Sequence, residues 1–376
     1  MNRFLLPGLL FVAMLAASSS PAWAHKASDA FIYLDLDQST VRVDLALRDL
    51  ALEVPLDRNA DRRVSGAELR AARGEITRYL EEGLLLANHS GSCALQGEQW
   101  GLSTHSDGPY AAALYQVSCP NGQVPESITY TLLFDRDPLH RGLVSLTYEG
   151  QETLAVIGPD DPTLALAATS FGSGRLFGTF LYEGVVHLLI GLDHILFLLV
   201  LMLPATIRRR ETTGTRHTSV HAGLRPRLLE LVGIVTAFTV AHSITLGLSA
   251  LGVVRLPIAW VETIIALSVA LAALNVIWPI LGRKTWKLAF GFGLIHGFGF
   301  ASVLGDLTTG VSQMAVALAG FNLGVELGQV ALVLVVFPLL YLAARSRFYE
   351  RAAVPAMLVA VGALSLYWVV ERIAEI

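Results

Sequence analysis

The chain has 376 residues, 53% of them hydrophobic and only 15% charged, with a mean hydropathy of +0.56. That is too apolar for an ordinary soluble protein and points to a membrane class. The formal net charge of −4 comes with no basic stripe carrying interleaved aromatics, which excludes a nucleic-acid partner.

At the N-terminus, Arg3 supplies a short positive region, Phe4 to Ala17 an apolar core, and Ala22-Trp23-Ala24 a small-residue cleavage site. Residues 1–24 read as a bacterial-type secretory signal peptide, with an uncleaved signal anchor as the alternative. Cleavage after Ala24 makes His25 the mature N-terminus, where amine and imidazole together could chelate a metal. Residues 25–160 then form a periplasmic domain, and Cys93 and Cys119 are expected to pair in that oxidising compartment as a structural disulfide.

Within this domain Thr40–Leu47 alternates, with Val41, Val43, Leu45 and Leu47 facing one way and Arg42 and Asp44 the other, as in a half-buried strand. Further short strands are expected at Phe31–Leu36, Ala112–Ser118, Ser127–Phe134, Leu143–Tyr148 and Thr153–Ile157, separated by Gly, Pro and Asn turns. The pattern predicts a β-rich domain, a sandwich with one helical insertion. The insertion opens on a loop, residues 57–68, that resembles an EF-hand. Asp57, Asn59 and Asp61 stand at positions 1, 3 and 5, the Arg63 carbonyl at 7, Ser65 at 9 and Glu68 at the bidentate position 12. Arg62 replaces the glycine of the sharp turn, and Arg58, Arg62 and Arg63 oppose a dication. The loop therefore reads as a weak Ca²⁺ site or as a turn and helix cap.

After a Gly/Ser-bearing linker over 161–175, six apolar segments are expected to span a bilayer within residues 176–376. They lie near 176–203, 228–252, 257–281, 286–305, 314–343 and 353–371. The odd loops carry twelve Lys and Arg (Arg208 to Arg227, Arg283 to Lys287, Arg345 to Arg351), and the even loops only Arg255. That asymmetry puts the odd loops in the cytoplasm of an inner membrane, with the N-terminal domain and the C-terminus in the periplasm.

The polar residues inside these apolar stretches carry the functional signal. Glu183 to Leu199 includes His187, Asp193 and His194. In a continuous helix the two histidines, seven apart, lie two turns apart on one face. His242 stands in the second segment, Glu262 in the third, and His296 in the fourth among Gly291, Gly293, Gly297 and Gly299. In the fifth, Asn322, Glu326 and Gln329 form a polar stripe. Gly293 and Gly297 make a small-xxx-small pair suited to close helix approach. Each residue alone could be hydrogen-bonding glue between helices. Three carboxylates at the bilayer centre would together cost roughly 7–10 kcal/mol unpaired, and no Lys or Arg lies within the central spans. Histidines, protons or a bound cation must answer them. Imidazole with carboxylate suits Ni²⁺, Co²⁺, Zn²⁺ or Fe²⁺, while the absence of Cys from the membrane portion disfavours Cu⁺.

The string His187-Leu-Leu-Ile-Gly-Leu-Asp193-His194 resembles the first-helix motif of HupE/UreJ-type nickel permeases, near the His-x4-Asp-His motif of nickel/cobalt permeases. The strings FTVAHSITL (238–246), VETIIALS (261–268), FGLIHGFGFA (292–301) and FNLGVELGQ (321–329) resemble the second HupE/UreJ-type family, whose members carry an exported N-terminal domain. In the fourth helix, where such permeases carry a second His and a Glu, this chain has Gly299-Phe300-Ala301. The resemblance implies movement of a divalent metal, nickel or cobalt first, as substrate. His187, Asp193, His194 and His296 are at matching positions; His242 and Glu326 complete the metal path, and Glu183, Glu262, Asn322 and Gln329 line it. The chain has no P-loop, so transport would be secondary or driven by a partner. Membrane lipid and a metal-delivery or metalloenzyme-maturation partner are the expected associates. Two alternatives stay open: an intramembrane zinc hydrolase, and a non-transporting accessory protein.

Overall fold

Strands over residues 29–166 and long apolar helices thereafter make two differently built halves. The structure is a computed structural model and describes residues 29–61, 63–105, 108–138, 140–166, 172–206, 223–254, 256–282, 284–305 and 311–374. The expected signal peptide, His25, Arg62 and several loop arginines (Arg208 to Arg216, Arg255 and Arg283) lie outside the described residues.

The first half is β-rich. Strands β1 (Asp29–Asp35), β2 (Thr40–Ala46), β5 (Ala94–His105), β6 (Gly108–Ser118), β8 (Arg141–Tyr148) and β9 (Gln151–Ile157) make a six-stranded sheet in the order β5-β6-β2-β1-β8-β9. All its pairings are antiparallel except β1 with β8. A second sheet runs β10 (Thr163–Ala165), β7 (Ser127–Tyr130), β3 (Leu84–Asn88), β4 (Gly91–Ser92). Strand β10 falls in the stretch read as linker. A short helix α1 (Leu47–Leu50) follows β2, and helix α2 (Gly66–Gly83) is the expected insertion. Leu69, Ala72, Ile76 and Leu80 of α2 are buried in one core with both sheets. Sequence patterning misses β5 because its glycines break the alternation. Gly97 takes a left-handed φ of 64° inside a bulge between Gln96 and Gln99. Cys93 and Cys119 flank the β5–β6 hairpin and are disulfide-bonded, Cα to Cα 4.0 Å.

The reading of β2 as half-buried needs correction. Asp44, on the face assigned to solvent, is fully buried. That face packs against the helices, and Asp44 is satisfied there by Arg42 and His105.

The second half consists of α3 (Ser173–Ile190), α4 (Leu192–Thr206), α5 (Leu224–Ala250), α6 (Ile258–Ile277), α7 (Thr285–Gly305), α8 (Val311–Ala343) and α9 (Val354–Ala374). Among the described residues four helices are long and apolar enough to cross a membrane, or five if the bent pair α3–α4 is one span. Helix α7, where the fourth span was expected, forms as well. Glycine sets how closely these helices approach. A Cβ at Gly293 or Gly297 of α7 would collide with the Phe238 or His242 carbonyl of α5. Likewise a Cβ at Gly184 of α3 would strike the Phe321 carbonyl of α8, and one at Gly320 or Gly324 the carbonyls of Phe177 and Leu181. Helix α4 runs through the middle, with Leu196 to Leu203 all buried.

Candidate metal site

The expected first span is not one helix. It breaks at Gly191, and the two parts meet at 71°. Across a straight helix His187 and His194 would be separated by about 10 Å of rise; the bend brings their ring centroids to 5.1 Å. Only glycine fits at the corner, because a Cβ there would lie 2.7 Å from His194 Nδ1 and 3.1 Å from Asp193 Oδ1. The expectation of two histidines on one continuous helical face is thus replaced by two histidines facing each other across a corner.

His296, brought in by the glycine-mediated approach of α7 to α5, stands with its ring 5.2 Å from that of His194. His187, His194 and His296 therefore form one chain of imidazoles from three helices. His242 lies beyond Phe238, whose ring stacks on it at 5.9 Å and meets His296 edge-on at 5.4 Å. His194, His242 and His296 are buried.

The hydrogen bonds decide what these rings offer. His296 Nδ1 sits 2.9 Å from the Phe292 carbonyl oxygen. A carbonyl only accepts, so Nδ1 carries the proton and Nε2 of the neutral ring presents a lone pair. His194 Nδ1 sits 3.0 Å from Asp193 Oδ1, which selects the same tautomer. The Nε2 atoms of His194 and His296, and both ring nitrogens of His242, are buried with no hydrogen-bond partner among the described residues. Unpaired buried polar atoms cost roughly 1–3 kcal/mol each, so four on these three histidines call for a partner that the protein itself does not supply among the described residues. An imidazole oriented by a carboxylate or carbonyl on one nitrogen, with the other free, is the usual state of a metal-binding histidine. As the rings stand, no group of three or more His, Cys, Asp or Glu among the described residues is placed to hold a metal ion. Binding one requires the rings to swing towards a common point.

The carboxylates expected on the path are placed differently. Glu326 accepts a hydrogen bond from Thr236 at 2.8 Å, and Gln329 one from Thr239 at 3.2 Å, joining α8 to α5. Thr236 is six residues along α5 from His242, so Glu326 stands beside the imidazoles rather than among them. Asn322 bonds the Leu318 carbonyl of its own helix, and its Oδ1 is buried without a partner. Glu262 forms an ion pair with Arg372 of α9, which corrects the expectation that no basic side chain reaches these carboxylates. Glu183, one turn before His187, pairs with Arg141 of β8 at 3.4 Å.

Sequence reading misses several residues that shape the site. Phe197, Phe238 and Phe292 close it on the side away from the sheets, with Phe197 5.4 Å from Phe292 and 5.6 Å from His296. Phe321 lies 5.2 Å from His187 on the other side. Thr236 and Thr239 had a signal, since their i, i+3 spacing mirrors that of Glu326 and Gln329. Arg141 had none.

The EF-hand-like loop is organised as a helix cap. Ser65 and Glu68 form a reciprocal capping box at the start of α2. Glu68 Oε1 accepts from the amides of Arg58 and Asn59, and Oε2 from the amide and hydroxyl of Ser65. Asp61 accepts from the Arg63 amide, and the Asp61 amide donates to Asp57 and Asn59. Calcium gains no support from this arrangement, because both oxygens of the expected bidentate ligand already serve the backbone.

The family described as HupE / UreJ protein matches residues 164–372, more than half of the chain. The chain belongs to that family. Membership suggests metal transport, of nickel or cobalt, or an accessory role in metal handling, and lends nothing to an intramembrane hydrolase. A comparison with curated proteins finds no match.

Proposed function

We propose that the chain is a membrane permease that moves a divalent transition metal, nickel or cobalt first, as its substrate. The metal would pass by His187, His194 and His296. Asp193 would orient His194, and His242 would supply a further nitrogen once Phe238 turns aside. The observation that carries this reading is the pair of buried Nε2 atoms on His194 and His296, each left unpaired while Nδ1 is held by a carboxylate or a carbonyl. Neutral imidazole with carboxylate fits Ni²⁺ and Co²⁺, and also Zn²⁺ or Fe²⁺. The polar stripe of Asn322, Glu326 and Gln329, hydrogen-bonded to Thr236 and Thr239, offers a polar route alongside the phenylalanine cluster. The balance of Lys and Arg between loops supports a bacterial inner-membrane orientation with the β domain in the periplasm. Lipid surrounds the helices, and a periplasmic metal-delivery protein or a metalloenzyme-maturation partner is the natural associate.

Uptake of radioactive nickel and cobalt by cells expressing the full chain tests the proposal. His194→Ala and His296→Ala should each lower uptake by about tenfold or more, as loss of a metal ligand or its orienting partner does. Parent-like uptake by His194→Ala sinks the reading. Metal retained by the purified protein without any flux would favour the accessory role instead.

A further inference from the structure

The metal-passage reading leaves the N-terminal β domain without a role. Its six-stranded sheet has two apolar faces. Ile32, Leu34, Val41, Val43 and Val144 look into the domain's own core. Phe31, Tyr110, Leu143 and Leu154 instead join a cluster with residues of α3, α5 and α8, among them Phe180, Leu246, Ala317 and Phe321. Phe321 in turn abuts the His187 ring. A continuous dry layer therefore runs from the sheet to the first imidazole. A cation coming from that side cannot cross such a layer while it stays closed, because an unpaired ion in an apolar medium is strongly disfavoured.

The rim of this contact is polar. Arg141, the first residue of β8, reaches Glu183 of α3, and both side chains are largely buried, 12% and 19% exposed. The guanidinium is held in place by the carbonyls of Pro138 and His140 and lies across Gly158, where a Cβ would crowd it at 3.2 Å. Beside the pair a cavity of about 460 Å³ opens between β9, β10 and α3, lined by Asp160, Asp161, Arg175 and Thr179. At the same contact Gln313 of α8 accepts from the amide of Leu154, which also lines that cavity, at 3.4 Å. Among the described residues the contact includes a buried ion pair one turn from His187, an amide contact and an apolar face.

We propose that the β domain is the lid of the metal path, and that Arg141–Glu183 is the latch that holds it shut. This rests on the metal-passage reading above for what the lid covers, but not for whether the lid opens. Glu183 stands one turn from His187 on the same helix, so a latch on Glu183 couples the domain's position to the site. Breaking a buried pair by removing one partner strongly weakens what it holds.

Two measurements on the full chain decide it. In the first, Ala317→Cys, at a fully buried position under the sheet, is labelled with a membrane-impermeant maleimide. Labelling should be slow, and about tenfold faster when Arg141→Gln or Glu183→Gln is added, since opening is then less opposed. The exchange Arg141→Glu with Glu183→Arg should restore slow labelling, which separates a latch from misfolding. Unchanged labelling in both single variants overturns the latch. In the second, Leu154→Cys and Gln313→Cys are joined by a short reducible bifunctional thiol reagent. Nickel uptake should fall about tenfold or more and recover on reduction, as expected for a blocked gating step. Parent-like uptake with the link in place overturns the lid. If the parent itself moves no nickel, cobalt or zinc, the permease reading fails while the labelling still decides the latch.

Discussion

His140 shows how one residue makes the β domain sensitive to acid. It is fully buried beside Tyr130, whose hydroxyl lies 2.6 Å from its Nε2. Burial pushes its pKa down to about 4; Asp137 partly opposes the shift and Arg141 adds to it. The unfolded chain titrates near 6.5, so between pH 6.5 and 4 it takes up a proton that the folded domain refuses. Stability is therefore complete above about pH 6.5 and falls as pH drops towards 4, by about 3 kcal/mol in all. Hydrogen exchange in β7 and β8 should accelerate over that window, and His140→Gln should flatten the dependence. A variant that keeps the parent's full pH slope would show that another group is responsible. Asp44 acts in the same sense: burial disfavours its charge, but His105 and Arg42 outweigh burial and hold its carboxyl below the ordinary value. Which residues were legible follows from contrast. His187, Asp193, His194 and His296 stand out because charge-capable groups are costly in apolar sequence. Arg141 and Asp44 do not, because polar residues in a strand look solvated until the face that covers them is known.

At the scale of elements, glycine spacing sets the helix pairs. Gly324 faces the Leu181 carbonyl so closely that any side chain there must part α3 from α8. Gly324→Leu should lower stability by about 1–3 kcal/mol or more, read as a fall in melting temperature in detergent. Gly362→Ala in α9, where a Cβ meets nothing within 4 Å, is the control and should be neutral or slightly stabilising. Parent-like melting of Gly324→Leu would mean that the helices repack freely. The pair Gly293 and Gly297 was legible as a packing motif. Gly320, Gly324 and Gly328 repeat every four residues and were equally readable, but Asn322, Glu326 and Gln329 interleave with them and draw attention to polarity instead. The break at Gly191 was not legible, since a lone glycine in a long apolar run is compatible with an unbroken helix. Only the crowding by His194 and Asp193 reveals why it stops there.

At the scale of the whole molecule, the two halves are not independent. The sheet face bearing Phe31, Tyr110 and Leu143 covers Phe180, Leu246 and Phe321, and each half would expose an apolar surface without the other. A chain lacking residues 29–166 should elute from size-exclusion in detergent as aggregates or lose monodispersity, as exposed apolar patches of this kind lead to association. A monodisperse, stable truncation would show that the helices need no cover. The division into a β-rich half and a helical half was readable from periodicity alone. Their contact was not, because it joins strands and helices far apart in sequence through residues that look like ordinary core.

The break at Gly191 does more than turn the chain. It creates two helix ends at the depth of the histidines, where an unbroken span would have none. Helix α3 ends with His187 in its last turn, and α4 begins with Asp193 in its first. A helix terminus carries a partial charge of roughly half an electron, negative at the carboxyl end and positive at the amino end. At the corner the carbonyl end of α3 favours a cation and the amino end of α4 opposes it, so the balance is set by the side chain that meets the amino end. Asp193 answers the amino end of α4, and its Oδ1 accepts the His194 amide as well as facing that residue's ring. Straightening the corner, for example with a side chain at residue 191, would remove an electrostatic well as well as a distance.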